Sequence, residues 1–129
     1  MSEIKTFEDL EVWKRGCQLA VDVCVGMHES KNYALKDQMT RAAISIPSNI
    51  AEGCERDSTP EYIRFLRYSK GSCGELRTQL YVHERVQKKL KLTGLNDAKE
   101  MIQETKEISA MLQGLINSLE RKQKNDSPH

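Results

Sequence analysis

Residues 98–119 read AKEMIQETKEISAMLQGLINSL, and the spacing of their side chains decides the fold class. One series of positions recurs every seven residues, at Ala98, Thr105, Leu112 and Leu119. A second series lies between them, at Met101, Ile108 and Leu115. Such a heptad pattern lines one face of an α-helix with core residues, and helices of this kind pack at shallow crossing angles. The segment therefore predicts a bundle helix that is capped by Asn96 and ends near Lys122.

The first predicted helix runs from Phe7 or Glu8 to about His28 and carries two apolar stripes. The first stripe contains Leu10, Trp13, Cys17, Val21 and Cys24. The second stripe contains Val12, Leu19 and Val23. Together they cover about 200° of the helix circumference, whereas a core-facing stripe needs about 100° or somewhat more. A helix this widely apolar lies either at the centre of its own bundle or against another chain, and for a small bundle we predict that the second stripe contacts another chain.

The second predicted helix covers Leu35 to Glu52 and contains Pro47. Proline lacks a backbone donor and clashes with the carbonyl four residues earlier, so the helix should kink or break near Ala43 to Ile46. Gly53 follows as a permissive C-terminal cap.

The third predicted helix has a strong start signal. Ser58 and Glu61 have the spacing of a capping box, and Pro60 fits the first turn of a helix. The helix continues to about Leu90, and the residues after it form a turn before the fourth helix.

Four helices joined by short loops favour an all-α fold, an antiparallel up-down-up-down four-helix bundle. We expect one domain over residues 1–123 and a disordered tail over residues 124–129. The length of 129 residues leaves no room for a second full domain. The 7 glycines and 3 prolines are too few for the many turns of a β-sandwich or barrel.

Composition also bears on the cellular compartment. The longest apolar stretch, near residues 21–27, is interrupted by Asp22 and is shorter than the ~20 residues of a membrane span. The N-terminus shows no apolar region typical of a secretory signal. The four cysteines form no C-x-x-C pair and lie in apolar helical patterns, which favours reduced thiols in the cytoplasm over two disulfides in a secreted domain.

Motifs for metal or cofactor binding are missing from the sequence. A ferritin-like di-iron site needs Glu-x-x-His twice, but Val25 and Leu80 stand three residues before His28 and His83. Walker loops, G-x-S-x-G and the spacings of zinc sites are also missing. The sequence therefore predicts no metal, no cofactor and no catalytic residue.

Polar residues of the second and third helices form one candidate cluster of structural importance. Its members are Gln38, Arg41, Ser45, Asn49, Glu52, Ser72 and Glu75. Because buried polar groups need hydrogen-bond partners, we expect contacts between the two helices, including an Arg41–Glu75 pair. The alternative is a solvated face without specific pairing. A hydrolase that uses Arg41, Glu52 and Glu75 is a third interpretation, but it lacks a recognisable nucleophile and base.

Charge is distributed unevenly, although the whole chain carries only +1. Residues 1–60 hold 7 basic and 10 acidic side chains, whereas residues 61–91 hold 8 and 3. Seven cations form a basic ridge on the third helix: Arg64, Arg67, Lys70, Arg77, Arg85, Lys88 and Lys89. Such a ridge is suited to a phosphate backbone, and a solvated helix face is the alternative. Ile63 and Tyr81 are predicted on the same outward side, where they would contact another subunit.

Three runs of sequence carry a family resemblance. They are Phe7–Trp13 (FEDLEVW), residues 41–53 (RAAISIPSNIAEG), and Phe65–Leu66 with residues 71–76 (GSCGEL). In this order, within residues 7–118, they resemble the four-helix-bundle proteins encoded by 23S rRNA intervening sequences. Gly74 departs from the pattern, since other small or apolar residues fit there equally well.

The resemblance implies a bundle that assembles into a homopentameric ring. The family is also similar to the accessory variability protein of diversity-generating retroelements, a basic pentameric barrel that binds nucleic acid and a reverse transcriptase. This chain is nearly neutral where that protein is strongly basic, which weakens the transfer of that function. We expect a non-enzymatic, cytoplasmic homo-oligomer that binds RNA or another nucleic acid and no membrane. The alternative is a protein-interaction scaffold without nucleic-acid affinity.

Overall fold

The computed structural model describes residues 6–126, which contain four α-helices and no β-strand. A short 3₁₀ helix at Phe7–Asp9 precedes the first of them. The α-helices are α1 (Glu11–Gly26), α2 (Tyr33–Cys54), α3 (Thr59–Lys89) and α4 (Ala98–Asp126). The all-helical prediction is confirmed. None of the helices in this part of the chain combines the length and apolarity needed to cross a bilayer.

The start of α1 lies later than the sequence predicts, because Leu10 is extended, with φ −76° and ψ 124°. Before it, the backbone N–H of Thr6 donates to Asp9 Oδ2 at 3.2 Å and closes a separate short turn. The interruption allows the Phe7 ring to pack edge-on against Trp13, with ring centroids 5.2 Å apart.

The second α1 stripe lies in the core of the single chain. Val12, Leu19 and Val23 are 5, 2 and 0 % exposed, so the prediction that they contact another chain is wrong. Gly16 lies on the same side of α1, and a Cβ built on it would be 3.3 Å from Ile46 Cγ2 of α2. The close approach of α2 at this glycine turns the second stripe inward.

The first α1 stripe is correspondingly only partly covered. Leu10 is buried, but Val21 is 54 % exposed and Cys17 and Cys24 are half-buried. Ile63, predicted on the outward side of α3, is buried as well, which corrects its assignment as a subunit contact.

Pro47 lies inside a continuous α2, so of the predicted kink or break the break does not occur. Its ring is buried against α1, where a Cβ on Gly16 would be 3.5 Å from Pro47 Cβ. Packing of the buried ring offsets the lost backbone hydrogen bond.

Gly53 does not cap α2, because the helix continues to Cys54 and no described glycine has a positive φ. A Cβ on Gly53 would lie 2.8 Å from Phe65 Cβ and 3.1 Å from the carbonyl oxygen of Tyr62. The glycine therefore permits close contact between α2 and the start of α3.

The ends of α3 and α4 agree with the sequence in part. Ser58 Oγ accepts from the backbone N–H of Glu61 at 3.3 Å, which confirms the predicted cap of α3. The helix α4 includes residues 124–126, which were predicted to belong to a disordered tail, while residues 127–129 lie outside the described residues. Within α4, Ile116 is fully buried and Leu115 and Leu119 only partly, because a straight helix drifts relative to a seven-residue repeat.

Each helix packs against its neighbours in the sequence, and α1 also packs against α4. No Cα atom of α1 lies within 8 Å of one of α3, so these two helices lie at opposite corners of the bundle. Arg67 pairs with Glu120, whereas Arg77 donates to Thr105, so α3 and α4 run antiparallel. This arrangement leaves one long side of α3 on the surface.

Candidate nucleic-acid interface

The basic ridge divides into three groups that differ in their surroundings. The first group lies near the start of α3 and is paired with acids. Arg64 Nη2 is 3.1 Å from Glu61 Oε2, and Arg67 Nη2 is 3.0 Å from Glu120 Oε2 of α4. The Arg64 guanidinium also lies 5.6 Å from the centre of the Phe65 ring. The positive charge of this group is therefore largely compensated by neighbouring carboxylates.

The second group lies on the flank of α3 that faces α4. Lys70 Nζ donates to Gln113 Oε1 at 2.6 Å, and Arg77 Nε donates to Thr105 Oγ1 at 2.9 Å. Both cations are half-buried, and both partners are neutral. These side chains keep their charge but are held against α4.

The third group lies at the end of α3 and consists of Arg85, Lys88 and Lys89. All three side chains are exposed, and none has a hydrogen-bond or ion-pair partner among residues 6–126. Lys91 follows directly, in the left-handed region with φ 59°, and is exposed too. We call Arg85, Lys88, Lys89 and Lys91 the basic end of α3.

Two hydrogen bonds join the loop after α3 to the last turns of that helix. Glu84 Oε2 accepts from the backbone N–H of Leu95 at 3.1 Å, and Gln87 Nε2 donates to the carbonyl of Thr93 at 2.8 Å. Glu84 Oε2 also lies 3.0 Å from Nδ1 of the buried His83. The acid closest in sequence to the basic end is thus bonded to its own loop and forms no ion pair with Arg85, Lys88 or Lys89.

Sequence reasoning missed two residues of this region. Lys91 is part of the basic run RVQKKLK at residues 85–91, which is visible in the sequence. It was not included in the ridge because it lies beyond the predicted end of the third helix. The role of Glu84 had no local signal, because its partner Leu95 lies eleven residues later.

The predicted polar cluster forms only in part. Ser45 Oγ and Ser72 Oγ are 2.6 Å apart, and Asn49 Nδ2 donates to the carbonyl of Ser45 at 2.8 Å. A neighbouring serine, Ser69, donates from its buried hydroxyl to the Ile46 carbonyl at 2.8 Å. These bonds join α2 to α3 through small hydroxyl groups.

The charged members of the polar cluster pair elsewhere. The expected Arg41–Glu75 pair is wrong, since Arg41 Nε bonds Asp37 Oδ2 at 3.0 Å. Glu52 accepts from Arg56 at 3.0 Å. Gln38 is exposed, and Glu75 accepts only a long 3.5 Å bond from Gln79. Short helical spacings let each ion find a partner one turn away. The structure brings together no set of groups for hydrolysis here.

A separate ion cluster links α1 to α4 on the far side of the molecule. Arg15 Nε donates to Glu104 Oε2 at 2.8 Å, and Arg15 Nη2 donates to Glu107 Oε1 at 2.8 Å. The hydrogen bond from Arg15 lowers the pKa of Glu107. This surface is acidic overall and does not extend the basic ridge.

The cysteines are free thiols, and burial raises the pKa of Cys73 to about 12. A thiol of that pKa is protonated at neutral pH and packs as an apolar group. Within residues 6–126, no group of three or more histidine, cysteine or acidic side chains is placed to hold a metal ion.

Large apolar side chains are exposed on α1 and on α2. Val21 and Val25 lie one turn apart on α1 and are 54 and 70 % exposed, and Ile44 of α2 is 50 % exposed. Tyr81 of α3 was predicted to face outward and is 44 % exposed. Exposed apolar groups of this kind mark surfaces for association when they are grouped.

The model of the family described as 23S rRNA-intervening sequence protein matches residues 8–114, a range that includes the basic end of α3. No curated protein matches the chain.

Proposed function

The chain belongs to the family of 23S rRNA-intervening sequence proteins, and from this premise we propose that it is a non-enzymatic protein that binds RNA or another nucleic acid through the basic end of α3. In this proposal the up-down-up-down bundle is the protomer of a homo-oligomer, a ring of five as the family resemblance implies.

One observation supports the choice of surface. Arg85, Lys88 and Lys89 are exposed and lack partners among residues 6–126, whereas Arg64 and Arg67 are paired with carboxylates. An unpaired cation releases counterions when it meets a phosphate, and each such contact adds about 0.9 to the salt dependence of binding to duplexes. A paired cation must first lose its carboxylate partner, so it contributes less.

The test compares two double variants with the same charge change and the same spacing on the same helix. Arg85→Gln with Lys88→Gln should weaken binding to structured RNA about tenfold at low salt and lower the logarithmic salt slope by about 2. Arg64→Gln with Arg67→Gln should change affinity less than about twofold. Filter binding at rising salt measures both quantities, and circular dichroism verifies the fold.

Two results would contradict the proposal. Equal losses of affinity in both double variants would show that RNA binding depends on the total charge of the protein and not on the basic end. A wild-type protein that binds no RNA at low ionic strength would overturn nucleic-acid binding altogether, and the scaffold interpretation would then stand if the protein still assembles.

Self-association is supported by the exposed Val21 and Val25, one turn apart on α1, since burying them against a second copy removes apolar surface from water at about 25 cal/mol per Å². We expect light scattering to give a mass near five times 14.8 kDa. A monomeric mass would contradict assembly, and another multiple would contradict the ring of five.

The surface of assembly is tested by substitution. Val21→Glu with Val25→Glu should dissociate the oligomer without unfolding the protomer, because both side chains are exposed. Ala110→Glu with Ser118→Glu places the same charges on exposed positions of α4 and should leave the mass unchanged. An unchanged mass of the valine variant would exclude the face of Val21 and Val25 as the interface.

A further inference from the structure

A groove between α3 and α4 lies beside the basic end and has a volume of about 650 Å³. Tyr81 forms one wall, and Ala98 and Ile102 contribute apolar surface from α4. The Tyr81 ring is 44 % exposed, and its hydroxyl has no hydrogen-bond partner among residues 6–126. An accessible aromatic ring beside an apolar floor is suited to a flat, planar ligand group.

Three cations lie near the Tyr81 ring: Lys99 and Lys106 on α4, and Arg85 on α3. Lys99 and Lys106 of α4 line the groove, are exposed and have no partner in the described part of the chain. Arg85 follows Tyr81 by one helical turn, so the ring leads directly to the basic end. The lining also includes two carboxylates: Glu84, which accepts from the Leu95 N–H, and Glu100, which borders the groove on the other side of α4 as well.

The groove on the other side of α4 provides the contrast. It has a volume of about 300 Å³ and is lined by four carboxylates, from Asp22, Asp97, Glu100 and Glu104, with no cation. The same helix thus separates a groove with four acids, no cation and no aromatic wall from a groove with a tyrosine and two unpaired lysines beside two acids. Of the two grooves, the one beside Tyr81 suits an anionic ligand that carries a ring, because it has both cations and an aromatic wall.

We propose that the groove beside Tyr81 binds an unpaired base of a single-stranded nucleic acid, with the base stacked on the Tyr81 ring and the adjoining phosphates at Lys99 and Lys106. This inference rests on the proposed function and adds the class of nucleic acid. Stacking on an aromatic side chain together with a positive track for the backbone is the common mode of single-strand recognition. A base inside a duplex is not available for such stacking, so the groove distinguishes single strands from duplexes.

The test uses an unstructured oligouridylate of about 12 nucleotides and an RNA duplex of the same length, a span that one single-strand site covers. Tyr81→Ala should weaken binding to the single strand about tenfold, as expected for one lost stacking contact, and change duplex binding less than about twofold. Tyr81→Phe keeps the ring and should retain affinity. Tyr68→Ala removes an exposed tyrosine of the same helix that does not line the groove, and it should have no effect.

Ultraviolet crosslinking of the oligouridylate gives a second readout. The expected crosslink lies on the tryptic peptide of residues 78–85, which contains Tyr81. Wild-type affinity of Tyr81→Ala for the single strand, an equal loss on the duplex, or a crosslink that maps elsewhere would each overturn the stacking site. In those cases a continued dependence on Arg85 and Lys88 would leave the proposed function standing. If the wild-type protein binds neither RNA, the proposed function fails and the stacking site fails with it.

Discussion

The two ends of α3 both carry cations, but in different surroundings. At the start of the helix, Arg64 and Arg67 are paired with Glu61 and Glu120, and the helix itself is packed closely against α2 at Gly53. At its end, the cations project into solvent without partners among residues 6–126. The net charge of a segment therefore does not predict the electrostatic potential at its surface. Pairing with nearby acids decides which cations remain free to bind an anionic ligand.

The largest effect is expected where the start of α3 meets α2. Gly53→Ala should lower the free energy of unfolding by about 1–3 kcal/mol, since the new Cβ would lie 2.8 Å from Phe65 Cβ and near a backbone carbonyl that cannot move aside. Urea unfolding measures the change. Gly71→Ala in α3 is the control, because its Cβ would meet nothing within 4 Å and should raise stability by about 0.5–1 kcal/mol. A neutral Gly53→Ala would show that α2 and α3 are not in close contact there.

An intermediate effect is expected from removing the acids that compensate the start of the ridge. Glu61→Gln with Glu120→Gln releases Arg64 and Arg67, and RNA binding at low salt should tighten about tenfold, with a salt slope larger by about 2. The control, Glu11→Gln with Glu55→Gln, removes the same negative charge from exposed positions off the ridge. Equal tightening in both variants would refute the claim that local pairing distinguishes the two ends.

The smallest effect concerns stability. Arg67→Ala should cost less than about 1 kcal/mol, because the Arg67–Glu120 pair is exposed and screened by solvent. Lys89→Ala should cost nothing measurable, since Lys89 has no partner within residues 6–126. Thermal unfolding of both variants provides the comparison. A loss of several kcal/mol on removing Arg67 would mean that the pair holds α3 to α4, and its role would then be structural.

Local signals predicted much of the fold. The cap of α3 was predictable because Ser58 bonds Glu61 three residues away, within one turn. The α4 stripe was predictable because helical periodicity alone places Met101, Ile108 and Leu112 on one face, and all three are buried. Of the candidate interface, the exposed positions Arg85, Lys88 and Lys89 followed from the same geometry, together with the aromatic Tyr81.

Other features depend on contacts between distant parts of the chain. The two stripes of α1 are equally apolar, so periodicity could not decide which one is buried. The glycine contact between Gly16 and α2 placed Val12, Leu19 and Val23 in the core instead of at a subunit interface. Pro47 remained helical for a related reason, because its ring fills space beside Gly16.

The amino-acid sequence by itself determined the four helices, the cap of α3, the family and the outward position of most ridge cations, since each depends on spacing within a helix or on short motifs. Tertiary structure decided which α1 stripe is buried, which cations are paired and where an aromatic ring meets unpaired lysines. These depend on how close two helices approach and on acids supplied by another helix, as Glu120 does for Arg67. Such distances exist only once the bundle has packed.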